Sequence, residues 1–187
     1  MASRARRDGV TLIEVLVVIV LIGVITAILM PRFRLSPQTR VRQAADQLVR
    51  DLELARGRAL STRSWARVRF DAGTESYTGY LDFNRDSVFA MSAAEQDSLR
   101  GFGQRRLSDD VVFGRGTAPD VPGIPGNAVI NLPNNGIDFD ARGLTNPFGT
   151  KGVVYLSHPG DPNAIAAVTI TGAAAIRTWT YDGTTWR

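Results

Sequence analysis

A single acidic residue, Glu14, stands near the start of a long apolar run close to the N-terminus. It lies five positions after Gly9, and no other charged residue follows it until Arg32. An ionised carboxylate without a partner is costly in an apolar environment, so another group must compensate Glu14 when this segment is buried. The pattern marks Glu14 as the leading candidate for a functional charge.

Side chains suited to catalysis are scarce in the rest of the chain. There is no cysteine, and the one histidine, His158, precedes a Pro-Gly pair that is typical of a turn. A zinc site or a Cys/His nucleophile therefore has too few groups to form. The acidic residues at positions 109–110, together with Asp138 and Asp140, are expected at turns or at solvated strand positions. We predict that the protein is not an enzyme.

Three oxygen-bearing residues at alternate positions, Asp82, Asn84 and Asp86, match the start of a calcium-binding loop. The glycine and the closing acid that such a loop needs are missing from their positions, although Glu95 could close an irregular loop. Asp and Asn also serve ordinary turns by bonding to nearby backbone. A plain turn is the favoured interpretation, and a weak calcium site is the alternative. No cofactor or metal is firmly predicted.

Residues 10–30 are long enough to cross a bilayer. A helix of these 21 residues would measure roughly 31 Å, against about 30 Å of hydrocarbon. A secretory signal peptide would have a shorter apolar core and a small-x-small ending, whereas this run ends in Leu-Met-Pro-Arg. An ordinary single-pass anchor gives no reason for the buried acid. Residues 10–30 are predicted to form a transmembrane helix behind a basic leader at residues 1–9.

The charge of the chain is unevenly distributed. The net charge is +4, but three arginines and one aspartate lie in the leader, so its removal would leave +2. Residues 32–69 carry ten arginines against three acids, whereas residues 70–187 carry nine basic and thirteen acidic residues. The basic composition is therefore only weak support for nucleic-acid binding.

The remaining pattern predicts an α+β architecture, with a long N-terminal helix followed by a β domain. Apolar residues recur at helical spacing between Val41 and Ala59, so residues 31–64 are predicted to form an amphipathic stem with bends at Pro31 and Pro37. Its apolar stripe is expected to pack on the protein's own sheet. Strands are predicted at residues 66–70, 75–83, 111–113, 128–132, 136–139, 153–156, 166–171 and 176–181. Residues 65–187 should form one predominantly antiparallel domain of two packed sheets.

The leader, Gly9, Glu14 and the apolar helix together resemble the N-terminus of type IV pilins and of type II secretion pseudopilins. The resemblance implies that a prepilin peptidase cleaves between Gly9 and Val10, and that Val10 is then N-methylated. It implies a single-pass inner-membrane protein with its domain in the periplasm, which an inner-membrane assembly platform adds to other pilins in a pilus-like filament. Mature chains of the family usually begin with Phe, so Val10 is a departure.

The resemblance also gives Glu14 a role in subunit assembly, because the acid of this family engages the N-terminal amine of a neighbouring subunit. Here the amine would belong to Val10. Opposite charges about 4 Å apart interact with roughly 4 kcal/mol at an effective dielectric of 20. One such pair favours a single register in an apolar interface that would otherwise tolerate several.

Four later passages resemble, more narrowly, the GspH/FimT family of minor pseudopilins and minor pilins. They are residues 52–59 (LELARGRA), 79–86 (GYLDFNRD), 137–143 (IDFDARG) and 179–186 (WTYDGTTW). The resemblance implies a minor pseudopilin, a structural subunit of a type II secretion pseudopilus that helps export folded proteins. Three alternatives stay open: a minor type IV pilin for pilus biogenesis or DNA uptake, a substrate-recruiting module with exposed loops such as residues 121–126, and a freestanding anchored β protein.

One passage argues against DNA uptake. DNA-binding members of the resembled family carry a basic Gly-Arg-x-Arg motif near the C-terminus, whereas the corresponding residues 172–177 read GAAAIR and offer only Arg177. Lys and Arg contacts with phosphates supply most non-specific affinity for nucleic acid. Nucleic acid is therefore not an expected partner.

Overall fold

The computed structural model describes residues 10–29, 36–86, 88–99, 101, 103–108 and 110–187. The chain divides into two compact units, of which the first ends at Leu35 and the second comprises Ser36–Arg187. The leader with Gly9, and the predicted bend at Pro31, lie outside the described residues.

The first unit contributes one helix, α1 (Leu12–Leu29). Thr11 caps this helix, since its Oγ1 accepts a hydrogen bond of 3.3 Å from the Glu14 N–H and so satisfies one of the unpaired amides of the first turn. The large apolar side chains of α1 that the structure describes are exposed. Within the described part of the chain, no helix combines the length and apolarity needed to cross a membrane.

The second unit begins with the stem helix, α2 (Pro37–Thr62). Ser36 caps it by accepting a hydrogen bond of 3.2 Å from the Thr39 N–H, and Pro37 is its first residue. Proline at the first helical position sacrifices no backbone hydrogen bond and its fixed φ suits the helix. Ser36, directly before it, has an extended backbone, and the chain before Ser36 lies outside the described residues. Arg63 caps the C-terminus of α2 and has a left-handed backbone, with φ of 50°.

The strands of the described residues form two antiparallel sheets. The first contains β1 (Ala66–Asp71), β2 (Ser76–Leu81), β3 (Gln104–Arg106), β6 (Gly136–Phe139) and β7 (Thr145–Asn146), in the order β3-β2-β1-β6-β7. The second contains β4 (Val112–Phe113), β5 (Ile130–Asn131), β8 (Gly152–His158), β9 (Asp161–Ile170) and β10 (Ile176–Tyr181), in the order β10-β9-β8-β4, with β5 also paired to β8. The predicted α+β class with two antiparallel sheets is confirmed.

The core lies between α2 and the inner faces of the two sheets. The apolar stripe of α2 is fully buried and consists of Val41, Ala45, Leu48, Leu52, Ala55 and Ala59. These residues belong to one cluster with side chains from both sheets, including Val68, Phe139, Leu156 and Val168. The stripe therefore packs on the protein's own sheets, as predicted.

Among the described residues, the short elements that escaped the sequence prediction include β3, β7 and the helix α3 (Ala93–Ser98). The strand β3 reads Gln-Arg-Arg and has no apolar alternation, because it is an edge strand held by pairing with β2. The strand β7 has two residues and lies outside the predicted strands. Pairing partners far along the chain, rather than local sequence, create both strands.

The outer face of the second sheet is covered by the segment that follows β4. Val121 and Ile124 are buried there in a cluster with Val153, Tyr155 and Ala167. The prediction that residues 121–126 form an exposed loop is therefore wrong at its two large apolar side chains. Val121 and Ile124 instead pack against the second sheet of the same domain.

Candidate functional site

Val10, predicted for cleavage and methylation, and Glu14, predicted for subunit assembly, lie at the start of α1. The Val10 side chain is 69% exposed, and Glu14 lies in the first helical turn, where a negative charge interacts favourably with the helix dipole. Glu14 forms no ion pair with any residue that the structure describes. Gly9, the other half of the predicted cleavage site, lies outside the described residues.

The residues of the calcium hypothesis do not present their side chains together. Asp82 is buried, whereas Asn84 and Asp86 are exposed and bond to each other, with Asn84 Nδ2 donating to Asp86 Oδ2 at 2.8 Å. The Val88 N–H donates to the second Asp86 oxygen at 2.8 Å. Glu95 is buried at the start of α3, where it accepts hydrogen bonds from backbone N–H groups. No group of three acidic, His or Cys side chains suited to a metal occurs among the described residues, and these contacts are those of a turn.

The turn between β9 and β10, where the DNA-binding motif of the resembled family would lie, packs inward. Ala174 is fully buried and left-handed, with φ of 58°. The Gly172 carbonyl accepts a hydrogen bond of 2.9 Å from Thr145 Oγ1 of the first sheet. Arg177 is exposed on β10. Ala174 therefore anchors this turn in the core, whereas Ala173 and Ala175 beside it are exposed and carry no charge.

The remaining polar candidates have structural roles. His158 ends β8, and its Nδ1 accepts a hydrogen bond of 3.0 Å from the Gly160 N–H of the following turn. Burial would raise the pKa of Asp140, but hydrogen bonds from the Leu144 N–H and from Arg142 outweigh it and hold that pKa below its usual range. Asp140 thus lies at a turn, as predicted.

Sequence reasoning missed a buried acid on the stem helix, Asp51. Its carboxylate accepts hydrogen bonds from the Tyr77 hydroxyl at 2.7 Å and from Gln47 Nε2 at 3.1 Å, and it pairs with Arg105 Nε at 2.6 Å. Burial, and then the hydrogen bond to Asp51, raises the pKa of Tyr77 well above its usual range. The sequence did contain a signal for it: Asp51 lies between Leu48 and Leu52, at a helical position on the face that carries the apolar stripe.

A second unpredicted feature is a groove of about 530 Å³ on the outer face of the first sheet. Its lining includes Arg67, Arg69, Asn134, Asp138, Asn146 and Pro147. Asp138 was expected to be solvated, but its side chain is only 15% exposed and pairs with Arg67.

Comparisons with known proteins agree with the N-terminal motif and the fold. The prokaryotic N-terminal methylation motif matches residues 4–30. The type IV minor pilin FimU of Pseudomonas aeruginosa is 16% identical over 74% of this chain and 87% of its own, with a TM-score of 0.50. The minor pseudopilin EpsH from the Type 2 Secretion System of Vibrio cholerae is 15% identical over 78% of this chain and 99% of its own, with a TM-score of 0.47. No curated protein sequence matches the chain.

The two findings differ in kind. The methylation motif is a match of sequence over residues 4–30, whereas the likeness to FimU is one of fold over 74% of the chain. A helix followed by two antiparallel sheets is also what the sequence predicted. The chain therefore carries a prokaryotic N-terminal methylation motif and has the fold of the type IV minor pilin FimU.

Proposed function

We propose that the protein is a minor pseudopilin, a structural and non-catalytic subunit of a type II secretion pseudopilus that helps export folded proteins. The observation that carries the proposal is α1, whose large apolar side chains are exposed while an acid occupies its first turn. A helix that is apolar on all sides is stable only when other apolar groups cover it. Lipid would cover α1 before assembly, and neighbouring subunit helices would cover it in the filament.

The proposal assigns successive roles to the N-terminal residues. A prepilin peptidase cuts between Gly9 and Val10, Val10 is methylated, and residues 10–30 hold the subunit in the inner membrane with the domain in the periplasm. The assembly platform then moves the subunit into the filament. There the Glu14 carboxylate pairs with the Val10 amine of a neighbouring subunit and fixes the register of the packed helices.

A minor type IV pilin is the second candidate. The likeness to FimU, a type IV minor pilin of Pseudomonas aeruginosa, favours it. DNA uptake is the less supported form of this role, because the turn between β9 and β10 has no basic residue and Arg177, at the start of β10, is the one basic residue beside it. The two candidates share the same assembly mechanism and differ in the filament that receives the subunit.

The first experiment tests processing. The full chain is coexpressed with a prepilin peptidase, and the N-terminus of the purified product is read by mass spectrometry. The proposal expects a mature chain that begins at Val10 and carries a methyl group. A chain that still begins at Met1 beside an active peptidase would exclude it.

The second experiment tests the charge of Glu14. Glu14→Gln removes the charge but keeps the size of the side chain, and it should lower crosslinking to neighbouring pilins at least tenfold, which corresponds to about 1.4 kcal/mol. Thr26→Ala is the matched control in the same helix, because Thr26 Oγ1 donates to the Ile22 carbonyl and carries no charge. Equal crosslinking of Glu14→Gln and the control would remove Glu14 from the mechanism.

A deletion in the native host separates the two filaments. Loss of protein export with intact surface pili would support the pseudopilus. Loss of pili with intact export would support the type IV pilus instead.

A further inference from the structure

We propose that the groove on the outer face of the first sheet binds an extended acidic segment of another protein. The groove lies on β1, β6 and β7, in the domain, and its volume of about 530 Å³ is in the range of sites that hold several residues or a small ligand. It involves neither α1 nor Glu14. The inference therefore goes beyond the proposed role in filament assembly and stands independently of it.

Arg67 forms the fixed part of the groove floor. Side chains alternate along β1, so Arg67 and Arg69 face outward while Val68 and Phe70 are buried. Arg67 lies opposite Asp138 of β6, and its Nε and Nη2 each donate to that carboxylate at 2.7 Å. The Phe89 ring also stacks on its guanidinium, 4.4 Å from the ring centroid. Arg67 is thus already neutralised and held in place.

Arg69 carries the exposed guanidinium of the groove, and Asp71, two residues along the same face of β1, attracts it without forming an ion pair. The Arg69 side chain is exposed, and it forms no ion pair with any residue in the described ranges. Its Nη1 lies 3.6 Å from the Met91 sulfur, which is a weak hydrogen-bond acceptor. The residue opposite it on β6 is Gly136, which leaves the space beside the guanidinium without a side chain. A planar guanidinium in such a position is suited to bidentate binding of a carboxylate.

Two amide side chains and an apolar rim complete the site. Asn134 and Asn146 line the groove, and each offers a donor and an acceptor, the pair that a peptide group requires. Two exposed apolar residues adjoin the lining and define the rim: Phe148, next in sequence to the groove-lining Pro147, is 72% exposed, and Met91, which contacts Arg69, is 41% exposed. Large exposed apolar side chains around a polar groove are typical of protein-binding surfaces.

The charge pattern favours a polypeptide over a nucleic acid. Asp138 contributes a carboxylate to the floor, which would repel a phosphate backbone. Binding to nucleic acid depends on several phosphate contacts, whereas Arg69 is the single unpaired guanidinium among the described lining residues. An extended peptide would match all parts of the groove. Its carboxylate side chain would pair with Arg69, its backbone would bond to the two asparagines, and a neighbouring apolar side chain would contact the rim.

The test uses a randomised hexapeptide library selected on the full chain in detergent micelles. Parallel selections use Arg69→Gln and Arg177→Gln, since Arg177 is likewise an exposed strand arginine without an ion pair among the described residues but lies on the second sheet. We expect peptides enriched in Asp or Glu beside large apolar residues on the wild-type chain and on Arg177→Gln. That enrichment should disappear on Arg69→Gln.

The best peptide is then measured by fluorescence anisotropy. Its Kd should rise about tenfold in Arg69→Gln, which is the loss of one charge-assisted contact, and less than twofold in Arg177→Gln. Phe148→Ser should weaken binding as well, which tests the rim without touching a charge. Absence of enriched peptides, enrichment of peptides without acids, or equal weakening by the two arginine variants would overturn the proposal. Tighter, Arg69-dependent binding of a single-stranded oligonucleotide would also overturn it.

Discussion

Removal of the Asp51 carboxylate should destabilise the domain more than removal of any exposed acid on the same helix. Asp51 is 3% exposed and joins α2 to β2 through Tyr77 and to β3 through Arg105. Asp51→Ala removes a charged acceptor and leaves the buried Tyr77 hydroxyl without it. The variant also leaves a cavity under the helix.

The size of the effect follows from these contacts. Removing one partner of a fully buried ion pair costs about 3 to 5 kcal/mol, but the Arg105 side chain is 40% exposed and can rehydrate. A hydrogen bond to a charged group contributes about 1.5 to 3 kcal/mol. We therefore expect Asp51→Ala to lower the free energy of unfolding by about 3 kcal/mol, which corresponds to a fall in Tm of roughly 6 to 12 °C for a domain of this size.

The assay is thermal and urea unfolding of the full chain in detergent, followed by circular dichroism. Glu53→Ala is the matched control, because Glu53 lies on the same helix with 45% of its side chain exposed and pairs with Arg56 at 3.4 Å. Exposed pairs of this kind contribute less than about 1 kcal/mol. A double-mutant cycle of Asp51→Ala with Tyr77→Phe should show a coupling of about 1 kcal/mol or more. Equal Tm shifts for Asp51→Ala and Glu53→Ala would refute the reasoning.

Three further predictions follow from other residues. Burial and the hydrogen bond to Asp51 raise the pKa of Tyr77 above its ordinary value of about 10. Above pH 10 the unfolded state therefore loses the Tyr77 proton before the folded state does, and the free energy of unfolding, measured by urea denaturation, should fall by up to about 1.4 kcal/mol per pH unit. The fall should be smaller in Tyr77→Phe. Excess calcium should leave Tm unchanged in differential scanning fluorimetry, and a rise that Asp82→Ala with Asp86→Ala abolishes would instead support a calcium site. In gel-shift titrations duplex DNA should bind no more tightly than roughly 1 μM at physiological salt, with little change in Arg177→Ala; submicromolar, Arg177-dependent binding would favour a DNA-uptake pilin.

The predictable parts of the molecule are those with a local periodic signal. The stem could be predicted because Val41 to Ala59 repeat at helical spacing over several turns, and the longer strands because their side chains alternate. A proline has opposite meanings at the first position of a helix and inside it, and the cap at Ser36 assigns Pro37 to the first position.

The parts that escaped prediction depend on contacts between distant positions. Arg67 and Asp138 are 71 residues apart, and the pairing register of β1 with β6 is what brings them together. Asp51 was visible as an acid on an apolar stripe, but its partners Tyr77 and Arg105 come from strands whose register the sequence does not reveal. The groove likewise exists only once β1, β6 and β7 are paired.

The hydrogen bond between Gln38 and the last strand has a mechanical consequence. Gln38, in the first turn of α2, donates from Nε2 to the Tyr181 carbonyl on β10 at 3.1 Å. On the same strand, Thr180 exchanges two backbone hydrogen bonds with Arg187, the last residue of the sequence. Both ends of the domain are thus fastened to β10. A pull applied at Ser36 therefore reaches β10 directly through Gln38, and the hydrogen bonds between β10 and β9 share the load.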